Sequence, residues 1–600
     1  MVCCGNWSSV FAIGKQFKND EEQIVNTCIK KRITAILLFL VISITYYSLP
    51  TTQTTDSLYS ILLTETIIKD KKIDIGEHFD TTSNSEIEIP YQIEKINNKE
   101  NYYFPHGSSF LSAPFVYIIN KSGLRSIQDD SYSIDNEIKI QKILSAGLTA
   151  ATVAVIFLIF KIFLGNTTSL LITTIFAFAT PLASTLSRGL WAHTWLALLL
   201  SISIFIILRN IHRKSLPNPY ILATLMSWMY FVRPISSISI IAISILCLIY
   251  FKKIIFKYCA TGFLWLLAFT AYSYYNFNLL QPSYYFASRL GTENFFSALV
   301  GNLFSPSRGL LIYSCFLLPL LYLAIKNKRI EQYKRVLIIA FFTITSHLIV
   351  ISSFPHWWGG YSYGPRLMSD MIPWLVVISA LSIYNRKELK PSIIIILLTT
   401  SILSLLINTW AAYSQKTIEW NGIPDNIDSN PARLWDWKKP QFLAGIQQSP
   451  ITLSFPIIKN DKTIILLNSI AADAFLIDGW SYAESRSRWT KAKTARIGFG
   501  LETIQPISIS LEFEPFIELD KNTQSIVFYI NGERLEEYSF KSPGLEKITL
   551  EISDEYLKNQ NIITIEIPEA TSPASLGISE DKRLLGMAVY QIEINKQNKQ

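Results

Sequence analysis

The chain has 600 residues, too many for one ordinary globular core, and half of them are hydrophobic while 17% are charged. A mean hydropathy of +0.27 at this length argues against a chain of soluble domains and for a membrane protein. The net charge of +8 does not mark a nucleic-acid binder, because the basic residues stand in short clusters between apolar blocks rather than along one soluble face.

Residues 1–32 read as a cytoplasmic tail ending in Lys30, Lys31 and Arg32. The first apolar block begins at Ile33, with no small-residue cleavage site before Tyr46, so a retained span is expected rather than a signal peptide. Apolar blocks follow at 143–163, 168–185, 190–208, 219–232, 235–251, 258–276, 309–325, 336–354, 370–384 and 391–411. Each approaches the ~20 residues that cross ~30 Å of hydrocarbon, although several are short. Residues 33–411 are therefore expected to form a polytopic α-helical domain of about eleven transmembrane helices.

A cytoplasmic N-terminus places every basic cluster inside: Arg209, Arg213 and Lys214; Lys252, Lys253 and Lys257; Lys326 to Arg335; and Arg386, Lys387 and Lys390. The expected location is the plasma membrane, the inner membrane of a bacterium, crossed many times. The opposite loops hold isolated arginines, Arg188, Arg233, Arg289, Arg308 and Arg366. Guanidinium gives permanently charged, bidentate contacts, so an anionic phosphate head group accounts for them together. For any one of them, snorkelling to lipid or pairing with a carboxylate is the alternative.

The first outer loop, residues 51–142, opens with Thr54-Thr55-Asp56-Ser57-Leu58-Tyr59 and a helical stretch to about Lys69. Leu58, Leu62, Leu63 and Ile67 suit a helix lying on the membrane. Asp56 has two compatible roles, as the N-cap of that helix or as a base that takes a proton from an attacking hydroxyl. Further on, Pro105-His106-Gly107 introduces the apolar stretch Leu111–Ile119, too short to span and read as re-entrant or interfacial. His106 is a candidate substrate contact or an ordinary loop histidine.

Arg233-Pro234 divides residues 220–251 into two short halves, and a charge at that depth needs a partner or a cavity. Ser305-Pro306-Ser307-Arg308-Gly309 puts an arginine at the mouth of a span. The loop 354–370 carries Trp357 and Trp358, which a membrane belt explains, together with Gly359, Gly360, Tyr363, Gly364 and Arg366, which it does not. Glycines let backbone approach a ligand, and the arginine supplies an anion contact.

After a linker at 412–445, residues 446–600 show short alternating runs, with Asn531-Gly532 as a hairpin signal, and predict an antiparallel β-sandwich on the non-cytoplasmic side. Its tryptophans, Trp480 and Trp489, are better explained as core than as sugar platforms. The six cysteines lie in the tail or in or near apolar blocks and encode no disulfide framework.

Taken in order, Asp56, the segment 103–114, Ser187-Arg188-Gly189-Leu190-Trp191-Ala192-His193, Arg233-Pro234, Ser305–Leu310 and Trp357–Pro373 resemble the integral-membrane GT-C glycosyltransferases. The resemblance is particularly to bacterial relatives of protein O-mannosyltransferases and aminoarabinose transferases. The resemblance covers roughly residues 33–411 and implies transfer of a sugar, with inversion, from a polyprenyl-phosphate donor to a glycan, lipid or protein acceptor. It implies Asp56 as base and Arg188, Arg308 and Arg366 as ligands of the donor phosphate, with Arg233 as a further phosphate candidate. Tyr59, His106, His193, Trp357, Trp358 and Tyr363 are the candidate substrate contacts. The 479–489 segment resembles jelly-roll modules found beside such enzymes. Ser57 stands where that family often has a second acid, which leaves a divalent metal open. The chain has no Asp-x-Asp and no phosphate-binding Gly-rich loop, in keeping with a lipid-linked rather than a nucleotide donor. The rival functions are a transporter or flippase of lipid-linked glycans and a non-catalytic glycan-binding membrane protein.

Overall fold

A computed structural model describes residues 33–78, 90–96, 98–128, 131–291, 294–386, 388–446, 455–484, 486–518, 523–579, 581 and 583–597. It divides into a helical unit, which holds Tyr91–Ile418 with the preceding residues to His78 and with Leu434–Leu443, and a second unit that includes Glu419–Arg433 and the chain from Ala444. The N-terminal tail expected at 1–32 lies outside the described residues.

The helices are α1 (Ile33–Ser48), α2 (Ser60–Asp70), α3 (Gly107–Lys121), α4 (Ile134–Phe163), α5 (Asn166–Phe178), α6 (Ala192–Arg213), α7 (Pro219–Val232), α8 (Ser237–Tyr250), α9 (Ile255–Phe277), α10 (Phe295–Phe304), α11 (Leu310–Tyr313), α12 (Leu317–Lys326), α13 (Lys334–Ser352), α14 (Ile372–Ile383) and α15 (Pro391–Tyr413). Among the described residues six segments, those of α4, α6, α9, α13, α14 and α15, are long and apolar enough to cross a membrane, and six further apolar helices are shorter. Every apolar block of the sequence contains a helix. The block at 309–325 is broken after Tyr313, and α10 was not expected.

The bundle is centred on α14, buried along its whole length, with α4 and α6 contributing Val153, Ile156, Leu196 and Leu200 to the same core. By contrast, α9 and α15 turn Leu264, Leu267, Ile395 and Leu406 outward, each about half exposed or more. Apolar side chains in such numbers are stable outward only against hydrocarbon, so these are the lipid-facing sides of a membrane protein.

The basic clusters gather at one end of the bundle. His212 Nδ1 meets the Tyr333 hydroxyl, Arg329 donates to the Asn385 carbonyl, Tyr250 donates to the Gln332 carbonyl, and Phe163 packs edge-on against Tyr384. α6 runs from this end to the other, and its 22 residues give ~33 Å of rise. α7 and α8 form a shorter pair whose tip, at Arg233-Pro234, points to the end opposite the basic clusters. With 14 residues each they rise only ~21 Å, so the tip is recessed into the bundle.

The first loop departs from expectation. α2 does not lie on the surface, since Ser60–Thr66 are buried. Asp56 is not its N-cap. That position falls to Tyr59, at φ 70 and with no side-chain cap, and the carboxylate of Glu137 on α4 instead accepts from the backbone N–H groups of Ile61 and Leu62, both at 3.2 Å. Tyr132 Oη and Gln141 Nε2 donate to the same carboxylate. The loop before α2 is locked on the other side by Gln53, whose backbone N–H donates to the Arg188 carbonyl. A Cβ on Gly189 would lie 1.9 Å from the Gln53 carbonyl oxygen, so only glycine allows this approach.

The second unit is a sandwich of two six-stranded sheets. In one sheet the order is Glu533–Phe540, Gln524–Ile530, Gln560–Glu566, Thr494–Leu501 and Ile457–Ile458, with Leu476–Asp478 also on Thr494–Leu501. In the other it is Glu546–Ile552, Ile507–Pro515, Met587–Lys596, Arg488–Thr490 and Trp480–Ala483, with Lys462–Leu466 also on Met587–Lys596. Ile497, Phe499 and Phe528 of the first share one core with Ile509, Leu511 and Ile592 of the second. The pairing is antiparallel as expected, except that Ile457–Ile458 runs parallel to its neighbour. The Asn531-Gly532 turn joins Ile530 to Glu533, with both residues at positive φ as a two-residue hairpin demands.

Glu137→Ala strands the first N–H groups of α2 and two buried polar side chains. Thermal unfolding in detergent should show a loss of about 2–4 kcal/mol, against less for Glu137→Gln.

Candidate functional site

The end of the helical unit opposite the basic clusters brings together residues far apart in the chain. Asp56 lies in the loop between α1 and α2, with its side chain 29% exposed. Its Oδ2 is 2.8 Å from an η nitrogen of Arg366, and its Oδ1 accepts from the Tyr91 hydroxyl at 3.0 Å. Tyr102 donates to the Asp56 carbonyl, which fixes the backbone. Ser57 turns the other way and donates to Gln141 Oε1 at 2.7 Å, so the position after Asp56 faces the core.

Arg366 enters from the loop before α14. Its guanidinium lies 4.4 Å over the ring of Trp191, and its buried Nε has no acceptor among the described residues. The contact with Asp56 meets the distance of an ion pair but not the angle of a hydrogen bond. Gly359, at φ +74, passes so near that a Cβ would lie 3.2 Å from that Nε. The loop glycine therefore serves the arginine, a closer approach than most side chains permit.

Next to this pair lies a cluster with no exposure at its centre. Asp370, 0% exposed, receives Arg233 Nε on Oδ2 at 2.8 Å and faces His193 Nδ1 from Oδ1 at 2.7 Å. His347 of α13 stands 4.0 Å from Oδ2 and is held by the Leu367 carbonyl at 2.9 Å. Arg233 thus has the partner its depth requires. Only Nε is spent on Asp370, and its η nitrogens have no acceptor among the described residues. Arg233 also feels the charge of Asp56, and His193 that of Arg366.

The other two arginines of the phosphate set are differently placed. Arg188, 1% exposed, donates to the carbonyls of Tyr46, Leu49 and Thr51 and to Ser187 Oγ. It ties off the free carbonyls where α1 ends, where a cation also complements the helix dipole. Arg308, also 1% exposed, donates to the carbonyls of Trp358, Ser307 and Gly360 and to Gln441 Oε1. Gln441, in the segment expected as a linker, also bonds to Ser362 and Thr417. The surroundings of both arginines are those of structural tethers, because carbonyl oxygens already occupy the N–H groups a phosphate would need.

The candidate substrate contacts are buried. Tyr59 packs at a tilt against Tyr132, Trp357 packs on Gly301 and Trp435, and Tyr363 donates to the Ile407 carbonyl from a fully buried ring. Trp358 is 7% exposed, and its carbonyl holds Arg308. His193 engages Asp370 through Nδ1. His106 borders open space. It donates from Nε2 to the Tyr102 carbonyl, accepts from the Tyr272 hydroxyl on Nδ1, and lines a cavity of about 180 Å³ walled by aromatic rings including Tyr102, Trp228, Trp265 and Tyr284. Tyr102 joins this cavity to Asp56. Burial pushes His106 down to about 4.

Tyr91, Trp191 and Asp370 were not singled out from the sequence. For Asp370 a signal existed: a lone acid opening one apolar block, and a lone arginine at the break of another, call for each other. Among the described residues no three His, Cys, Asp or Glu side chains are grouped as metal ligands.

No family model and no curated protein matches the chain. Among solved structures it aligns with the oligosaccharyltransferase of Archaeoglobus fulgidus in the apo form, at 11% identity and a TM-score of 0.38, over 70% of this chain and 62% of that one. This chain thus spans less than two thirds of that protein. It also aligns with the CBM36-1 domain of a multidomain xylanase from the hindgut metagenome of Trinervitermes trinervoides, at 9% identity and a TM-score of 0.15, over 23% of this chain and 99% of that domain. Both scores are below 0.5, and nothing that follows rests on them.

Two outcomes test the cluster and its neighbour. Asp370→Asn leaves Arg233 buried without its counter-charge and should cost about 3–5 kcal/mol in thermal unfolding. His106 is neutral when folded and near its ordinary value of ~6.5 when unfolded, so its contribution is complete above pH 6.5 and is lost as pH falls toward 4. The loss should be on the order of 3 kcal/mol across that window and should be absent in His106→Gln, measured by unfolding at stepped pH.

Proposed function

We propose that this protein is a membrane glycosyltransferase of the GT-C type that moves a sugar from a polyprenyl-phosphate donor to a hydroxyl acceptor at the end of the bundle bearing Asp56. The observation that carries this reading is a partly exposed carboxylate beside two guanidinium groups that keep unspent N–H donors, Arg366 through Nε and Arg233 through its η nitrogens.

The donor phosphate sits against Arg366 and Arg233, whose fork geometry suits its oxygens. Asp56 takes the proton of the acceptor hydroxyl while that oxygen attacks the anomeric carbon. The bond from that carbon to the phosphate oxygen breaks, and its electron pair leaves on the phosphate, where the guanidiniums stabilise the growing charge. A single displacement inverts the anomeric carbon. In the unliganded protein Arg366 keeps Asp56 paired; once phosphate draws that guanidinium away, the carboxylate faces the acceptor. The aromatic cavity beside Tyr102 suits the first isoprene units of the donor.

The basic clusters at the far end support a cytoplasmic face there, and on this reading Asp56 faces the outside of the plasma membrane, the periplasm in a bacterium, as does the C-terminal sandwich. The sandwich serves the acceptor, a glycan, lipid or protein.

Asp56→Asn tests the reading. Transfer, followed by mass spectrometry of glycans and lipid-linked sugars, should fall about a hundred- to ten-thousandfold, the usual worth of a general base, while donor binding stays within about threefold. Transfer that survives the substitution would overturn the assignment of Asp56. Movement of lipid-linked sugar across the membrane without transfer, unchanged by it, would favour the flippase.

A further inference from the structure

α3 is built inside out. Its buried face carries Ser108, Ser109 and Ser112, whereas Phe115, Tyr117 and Ile118 are 46%, 49% and 66% exposed. In water that arrangement hides the hydroxyls and wets the rings; in hydrocarbon it is the stable one, with small polar residues packing against protein and apolar side chains facing lipid. Two of the three buried hydroxyls have protein partners, Ser109 donating to the Ser60 carbonyl at 2.9 Å and Ser112 accepting from Trp195 Nε1 at 2.9 Å, while that of Ser108 meets none among the described residues.

Where this lipid-facing helix stops, at Lys121, a cleft of about 430 Å³ opens between the ends of α2 and α3. Lys69, Lys121 and Arg125 line it, with Tyr117 on one wall. Lys121 Nζ is steadied 4.7 Å over the Tyr117 ring, and Arg125 donates through Nε to the Asn120 carbonyl at 3.4 Å. The one acid among the described lining residues, Glu65, is 3% exposed, and both its oxygens accept backbone N–H groups from Ser126 and Ile127. Its charge is spent inside the fold. Through Lys121 and Arg125 the cleft therefore presents cations at the edge of an apolar face, the order in which a lipid presents phosphate above its chains.

We propose that this cleft binds the phosphate of an anionic membrane phospholipid, whose acyl chains lie along Phe115 and Ile118. It shares no residue with the Asp56 site and does not depend on the transferase reading. Side chains that meet a membrane anion in this way lower its escape from the protein without chemistry, and they anchor the first loop to the leaflet it lies in.

The test uses the full chain reconstituted in phosphatidylcholine discs with about 20% phosphatidylglycerol, with retained lipids counted by native mass spectrometry. Wild type should retain phosphatidylglycerol over phosphatidylcholine at least about fivefold beyond their ratio in the disc, and Lys69→Gln/Lys121→Gln/Arg125→Gln should lose that preference. Lys69→Arg/Lys121→Arg, which keeps the charge, should retain it, and this separates lost charge from a disturbed fold. Inorganic phosphate at ~10 mM should displace none of the lipid. Equal retention of the two lipids by wild type, an undiminished preference in the triple Gln variant, loss of preference in the charge-keeping variant, or release by inorganic phosphate would each overturn the proposal.

Discussion

A carboxylate without water must be fully paired, and Asp370 is the point where this chain meets that demand. An unpaired charge in the interior of a bundle costs several kcal/mol, enough to decide how helices sit. Asp370 stands in the turn just before α14, Arg233 at the tip between α7 and α8, His193 in the first turn of α6 and His347 on α13. One buried oxygen pair therefore sets the register of four parts of the bundle. It also aims Arg233, because the nitrogen it consumes is Nε and the η nitrogens are left over.

The arginines show how one residue type meets two kinds of surroundings. Arg188 and Arg308 lie where the backbone offers spare carbonyls, at the end of α1 and in the turns of the 354–364 loop, and they are absorbed by them. Arg366 lies over an indole ring and beside a glycine, surfaces that offer no strong acceptor, so its Nε stays unspent. The local supply of acceptors, and not the arginine itself, separates a tether from a guanidinium with donors to spare.

The loop that carries Asp56 is held the same way from several sides. Glu137 caps α2, Gln53 and Arg188 close the turn after α1, and Gly189 lets those strands of chain touch. With the cap supplied by Glu137, Asp56 is relieved of the local duty that its position in the sequence suggested. Its carboxylate is left to Arg366 and Tyr91.

The sequence by itself determined the membrane class, the position of the apolar helices, the gathering of basic clusters at one end and the Asn531-Gly532 hairpin, since each follows from local hydropathy, charge or turn chemistry. It also showed that Arg233 needed a partner. Only the tertiary structure decided that the partner is Asp370, that Arg188 and Arg308 face carbonyls while Arg366 does not, that Glu137 takes the cap from Asp56, and that Tyr59 and Tyr363 are buried. The reason is common to all of these: which donor meets which acceptor depends on helices more than a hundred residues apart in the chain, and no local pattern carries that information.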